Sequence, residues 1–301
     1  MTVVLLTGAR GFVGRQIAAG LAALGMQTHA LSSTEADLSI PVHAWHQGDL
    51  MDKSSTRALL ETIRPTHLIH AAWDTTHGAF WTSDANYAWV CASLGLLEAF
   101  QAVGGQRLIV VGSCAEYDWR FGFCSEDTTP LNPALPYGLC KASLFRLCEA
   151  YAKSHNISMA WARIFLLYGP HERPQRLVPS IANALLAGRA APCTRGDQIR
   201  DLMHVEDAGS AIAALSASDV SGGVNIGSGQ PISLSSVGLE IGKQLGRLDL
   251  VQFGALSARP DDPPVLIPDT RKLYRELGFK ARFDLANGIA NSIEFWRNQP
   301  A

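Results

Sequence analysis

Three glycines spaced G-x-x-G-x-x-G stand between an apolar run and an amphipathic stretch at the start of this chain, and they constrain its fold more than any other feature. Thr7-Gly8-Ala9-Arg10-Gly11-Phe12-Val13-Gly14 follows Val3–Leu6 directly and opens the stretch Arg15–Leu24. The first glycine permits a tight turn after a strand. The second lets backbone N–H groups approach a phosphate, and the third lets helix and strand pack closely. A helix that starts there adds a favourable dipole for an anion. The alternation continues. Val3–Leu6, Thr28–Leu31, Val42–Trp45, His67–His70, Leu108–Val111 and Met159–Ile164 read as strands, with Thr56–Ile63, Trp89–Ala102 and Gly138–Ser154 as further helices. This pattern predicts an α/β fold with a doubly wound parallel sheet. Beyond residue 165 several prolines, the stretch Gly222–Gly229 and an exposed loop at Pro260–Pro264 interrupt the pattern. A smaller, mostly helical region is expected there.

The glycine loop, with a strand before it and a helix after it, points to dinucleotide binding. The second strand ends at Leu31-Ser32-Ser33, where an enzyme using NAD often carries an acidic residue for the ribose hydroxyls. Serine at that place, and Arg10 inside the loop, favour NADP(H) over NAD(H).

A second constellation lies downstream. Pro136-Tyr137-Gly138-Leu139-Cys140-Lys141 opens a helical stretch, so Tyr137 and Lys141 share one helix face at i and i+4. A free phenol has a pKa of about 10, and a nearby ammonium is expected to lower it. The phenol then serves as a proton donor and acceptor. The run Leu108–Val111 delivers Ser113 at its C-terminal end, where open α/β sheets bind ligands. Ser113 and Tyr137 together can polarise a carbonyl.

Composition narrows the function classes. The chain has 301 residues, 47% of them apolar, and a formal net charge of −2. No basic block points to nucleic acid. The N-terminal apolar run is too short for a signal peptide, and no stretch reaches the roughly 18 apolar residues that span a bilayer. A cytoplasmic location without membrane contact is expected. Six cysteines without a C-x-x-C read as free thiols. The pairs His43/His46 and His67/His70 lack acidic or thiol companions at ligand spacing, so no metal site is expected.

With these motifs in hand the chain resembles the nucleotide-sugar branch of the extended short-chain dehydrogenase/reductase family. The resemblance rests on TGARGFVG at residues 7–14, Gly48-Asp49-Leu50, His70-Ala71-Ala72, the triad Ser113, Tyr137 and Lys141, and three later segments. These are RIFLLYGP from Arg163 to Pro170, RDLMHVED from Arg200 to Asp207, and NIGSG from Asn225 to Gly229. The resemblance implies a Rossmann-type domain over residues 1–165 and a mainly substrate-binding region over 166–301, with some segments returning to the first. It implies cofactor contacts from Gly8, Arg10, Gly11, Phe12, Val13, Gly14, Ser32, Asp49, Leu50, Ala71, Ala72, Tyr137, Lys141 and Phe165. It implies substrate contacts from Trp73, Ser113, Cys114, Leu166, His171, Arg176 and Arg200, with Arg200 on the diphosphate. Phe80 and Trp81 join Trp73 as aromatics for a sugar pocket. A homodimer through the helices Trp89–Ala102 and Leu139–Tyr151 is also implied.

Departures set the expected subclass. The 4,6-dehydratases of this family carry an Asp-Glu pair after the catalytic hydroxyl residue, and this chain has Cys114-Ala115. The 3,5-epimerase/4-reductases use a Cys and a His. His171 matches their His, but their Cys falls on Ala115. Leu166 replaces the usual Asn. The leading expectation is a reductase of a nucleotide-linked 4-keto sugar. The alternatives are a C4-epimerase (or 3,5-epimerase/4-reductase) on the same triad, and a non-catalytic NADP-binding sensor.

Overall fold

The run Val-Val-Leu-Leu-Thr is continuously apolar because its strand, Val3–Thr7, is covered on both faces. The computed structural model describes residues 2–76, 78–258 and 262–299. Its main sheet has seven strands, all parallel. From one edge they run Gly222–Ile226, Ser158–Ile164, Arg107–Ser113, His67–His70, Val3–Thr7, Gln27–Ser32 and Ala44–Gln47. The chain order reverses between Val3–Thr7 and His67–His70, which places the switch point of this doubly wound sheet beside the glycine loop.

Helices cover both faces. One core layer joins Leu6, Ile17 and Leu21 to Ala208 and Ile212. The other joins Leu5, Leu68 and Val110 to Leu97, Phe100, Leu144 and Phe145. The first layer depends on the helix Val205–Ser216, which packs on the helix Gly14–Ala23. Residue 165 is therefore crossed in both directions: that helix and the strand Gly222–Ile226 join the N-terminal layers, and Phe123–Cys124 pairs with Val265–Pro268.

The C-terminal region contains the helices Leu177–Leu186, Leu234–Leu245 and Leu285–Arg297, which share one apolar cluster. Ser233 and Asp284 cap two of them through side-chain oxygens. Beside the helices runs a mixed sheet of short strands, Pro231–Ser233, Ile199–His204, Val265–Pro268 and Phe123–Cys124, with Leu166–Tyr168 on Ile199–His204. "Mostly helical" thus understates its strand content. Apart from Ile199–His204, these strands have two to four residues and carry too little alternation to be read from sequence. Of the loop expected at Pro260–Pro264, residues 260 and 261 lie outside the described residues. The six cysteines are free thiols.

Candidate active site

The glycine loop is pressed against the end of the fourth strand. Gly8 has φ +76°, and a Cβ there would sit 2.7 Å from the Ala71 carbonyl carbon and the Ala72 nitrogen. A Cβ on Gly14 would lie 1.9 Å from the Gly8 oxygen, so helix and strand meet only because both residues are glycine. A Cβ on Gly11 would meet only that same oxygen, at 3.2 Å, which leaves the backbone of the loop open on its outer side. Phe12 and Val13 pack against the core. Arg10 donates to Thr34 Oγ1, which is 3.1 Å from Ser32 Oγ. Asp49 accepts the Met51 N–H at 2.9 Å, and Leu50 is buried beneath it. A glycine cradle open to solvent, a guanidinium beside two hydroxyls, and small residues at Ala71-Ala72 form a surface that fits a dinucleotide.

His70, next to that surface, is fully enclosed. Its Nδ1 is 2.7 Å from Thr7 Oγ1 and its Nε2 is 2.8 Å from Ser93 Oγ. Burial and then the Lys141 charge push its pKa down to about 3. Folding therefore prefers the neutral ring. Stability is full above the ordinary histidine pKa of 6.5 and is lost as pH falls toward 3. Urea midpoints should show a loss of about 1.4 kcal/mol per pH unit below that value from this residue, and His70→Gln should flatten the slope. An unchanged slope would contradict the assignment.

The triad residues come together at the C-terminal end of the central strand Arg107–Ser113. The helix Pro136–Ser154 starts with proline at its first turn and carries Tyr137 and Lys141, both buried. Burial holds the Tyr137 phenol pKa well above its ordinary value, against the opposing pull of the Ser113 side chain. Three rings enclose the phenol: Phe80 at 4.8 Å, Trp81 at 5.6 Å and Trp73 at 6.4 Å, all edge-on. Lys141 Nζ donates to the Val111 carbonyl at 3.0 Å and lies 3.8 Å from the centre of the Trp73 ring. Burial lowers its pKa to about 7, against the opposing pull of Glu116. The expectation that Lys141 brings the phenol pKa down is corrected here. Desolvation is the largest effect on the phenol, and the opposing pull comes from Ser113 rather than Lys141, so the protein by itself keeps Tyr137 protonated.

Residues 114–116 follow Ser113 in a short 3₁₀ turn. Burial pushes the Cys114 thiol up to about 12, with Cys124 and Glu116 acting in the same direction. Ala115 is buried. Glu116 is fully buried and was not singled out from sequence. It accepts from Ser113 N–H at 2.7 Å, from Trp161 Nε1 at 2.9 Å and from Arg163 Nε at 2.6 Å. It thus ties the catalytic strand to its neighbour Ser158–Ile164. Its signal was present only as an acidic residue inside a run that otherwise reads as core.

In the C-terminal region lies a cavity of about 510 Å³ walled by Leu166, Arg176, Thr194, Gln198, Arg200 and Phe253, among others. Arg200 is nearly buried and donates to Asp262 at 2.7 Å. Asp201 faces the other way and accepts from Ser228, Gly229 and Gln230 N–H groups, holding the NIGSG turn. Of the expected substrate contacts, Leu166, Arg176 and Arg200 line this cavity and Trp73, Ser113 and Cys114 do not, and two further expected contacts are placed elsewhere. His171 is not on the cavity wall: its Nε2 lies 3.2 Å from Arg15 Nη1 and its ring 4.5 Å from Phe295, because a positive φ of 68° turns it toward the first helix. The Phe165 side chain is buried in an apolar cluster with Tyr117, Cys124 and Leu266, so only its backbone can reach a ligand. Among the described residues no group of three His, Cys, Asp or Glu is placed to hold a metal ion.

Residues 4–227 match the model of the NAD dependent epimerase/dehydratase family. The chain belongs to that family. Its members are enzymes of the extended short-chain dehydrogenase type. The chain is 28% identical to a dTDP-glucose 4,6-dehydratase of Streptomyces griseus, over 98% of this chain and 94% of that protein. It is 26% identical to UDP-glucuronic acid decarboxylase 1 of Xenopus tropicalis, over 98% and 72%. Among solved structures it is similar to MoeE5 in complex with UDP-glucuronic acid and NAD, with a TM-score of 0.85 and 29% identity over 99% of both chains. A UDP-glucose 4-epimerase from Thermotoga maritima, at 20% identity and a TM-score of 0.86, covers 99% of both chains and shares the fold. Among the described residues, no helix of this family member is long and apolar enough to cross a membrane.

Proposed function

We propose that this chain is an NAD(P)H-dependent reductase of a nucleotide-linked 4-keto sugar. One observation carries the reading. A buried phenol held protonated stands with Ser113 at the C-terminal end of the central strands, and the two positions after Ser113 are a non-ionising thiol and a methyl group. Water elimination needs an acid and a base at those two positions. Reduction of a ketone needs only one proton donor.

When bound, a reduced nicotinamide dinucleotide supplies the hydride. Tyr137 gives its proton to the developing alkoxide, Ser113 holds the same oxygen, and Lys141 stabilises the transient phenolate, which regains its proton from solvent before the next turnover. Residues 1–165, completed by Val205–Ser216 and Gly222–Ile226, carry the dinucleotide, and the remainder carries mainly the sugar nucleotide. Arg176 and Arg200 suit its diphosphate, because a planar guanidinium matches two phosphate oxygens. Leu166, Cys114 and Trp73 border the sugar.

The Arg10 guanidinium donates to Thr34 beside Ser32, with no carboxylate at the end of the second strand, and this donor set supports NADP(H). Arg10→Ala is expected to weaken NADPH about tenfold to thirtyfold and to leave NADH within a factor of about two, as for one charge-assisted contact. Fluorescence titration of both cofactors checks it. We also propose a homodimer. The exposed apolar residues Tyr87, Leu139 and Leu147 lie on the two helices that would form it, and sedimentation equilibrium reads the state.

A second reading, a C4-epimerase, is favoured by MoeE5, which holds NAD with UDP-glucuronic acid. The same triad would serve both directions, and no reduced nicotinamide would be consumed. Purified protein is mixed with NADPH and nucleotide-linked 4-keto-6-deoxy sugars, and the absorbance of reduced nicotinamide is followed. Stoichiometric loss supports the reductase. No consumption, with inversion at C4 of a 4-hydroxy sugar nucleotide such as UDP-glucuronic acid offered with NAD in a parallel arm, sinks it in favour of the epimerase.

A further inference from the structure

Glu172 lies just past the strand Leu166–Tyr168, in a turn whose N–H bonds back to the Gly169 carbonyl at 3.2 Å. Its side chain is only 7% exposed, yet it borders the 510 Å³ cavity together with Arg176, Ser180 and Gln198. Its Oε2 is buried without a hydrogen-bond partner. The nearest cation is Arg176, whose Nε stands 3.8 Å from Oε1, beyond hydrogen-bond distance. The Arg176 side chain is 42% exposed, so its guanidinium also faces the cavity.

A carboxylate with so few donors is poorly solvated. Burial pushes the Glu172 carboxyl up to about 8, while Arg176 and then the Gly169 amide act in the opposite direction. Other charged groups nearby are engaged elsewhere. Arg200 is paired with Asp262 on the cavity wall, His171 turns to Arg15, and Arg173 bears on Asp74. The Tyr168 hydroxyl, on the preceding strand, donates to the Asp284 carbonyl.

We infer that Glu172 determines how tightly this cavity holds an anion: as a neutral acid it leaves the Arg176 guanidinium to a ligand phosphate, and as a carboxylate it competes for that guanidinium. The inference rests on the proposed reading of the cavity as a sugar-nucleotide site. Two consequences follow from linkage. Affinity for a diphosphate falls as pH rises through the Glu172 pKa, and binding draws a proton onto Glu172. Glutamine, neutral and nearly isosteric, mimics the acid form at every pH.

The test uses the full chain with its dinucleotide and four probes: UDP-, dTDP-, GDP- and CDP-glucose. As diphosphate diesters these stay fully ionised over the range used. Calorimetric titrations run between about pH 7 and about pH 9, in buffers of different ionisation heat. For at least one probe the wild type should bind about fivefold more weakly at the upper end, corresponding to about one pKa unit of coupling, and take up a fraction of a proton. E172Q should bind as tightly at the upper end as at the lower and lose that uptake. R176M should bind weakly throughout, without linkage. Wild-type binding that neither varies with pH nor moves protons overturns the inference alone. So does an E172Q variant that keeps the linkage, or that loses affinity at every pH through a lost direct contact. Failure of all four probes to bind overturns both the inference and the reading beneath it.

Discussion

Tyr137→Phe is expected to lower kcat for reduction of a nucleotide-linked 4-keto sugar by about a thousandfold, within the range ascribed to a positioned general acid. The phenol is the proton donor that the site offers. Cys114, the nearest sulfur, is held at about 12 by burial and gives up its proton too reluctantly to replace it. The substitution keeps the ring, and with it the edge-on contacts to Phe80, Trp81 and Trp73, so cofactor affinity and fold should change little. Single-turnover oxidation of NADPH measures the loss, and fluorescence titration confirms that the cofactor still binds. A variant that keeps a tenth of the activity would remove Tyr137 from the chemistry.

Glu116→Ala is expected to cost about 3–5 kcal/mol of stability, the usual loss when one member of a buried ion pair is removed. The carboxylate and Arg163 are both fully enclosed, and Arg163 Nη2 has no hydrogen-bond partner even in the intact protein. Taking Glu116 away strands that guanidinium and orphans the donors of Ser113 and Trp161 as well. Urea denaturation measures the loss, and a change below about 1 kcal/mol would show that the pair is dispensable. The substitution also reaches the chemistry. Glu116 is among the groups that support the Lys141 charge, so its removal should move the Lys141 titration further below about 7. The pH profile of kcat should shift down with it.

Much of this was legible in the order of residues. Parallel strands covered on both faces must be apolar along their length, so Leu108–Val111 and His67–His70 stood out and were found within a few residues of their ends. The glycine loop was legible because its steric demand is local: Gly8 and Gly14 meet across six residues. The spacing of Tyr137 and Lys141 was legible because one helix turn joins them.

Contacts between distant segments were not legible. The ties of Glu116 to Trp161 and Arg163, the seat of Glu172 at the cavity wall and the rotation of His171 toward Arg15 all join residues from separate elements or depend on one backbone angle. The glycine loop, the alternation of strands and helices and the pair Tyr137 and Lys141 could be read from the sequence because each is a matter of local spacing. The signs of the pKa shifts could not. The reading from spacing had Lys141 lowering the Tyr137 phenol, whereas the fold raises it. Desolvation is the larger effect, and it comes from Trp73, Phe80 and Trp81, more than fifty residues away in the chain. Only the tertiary structure decides which groups lose their water, and here that decides which of them keep a proton.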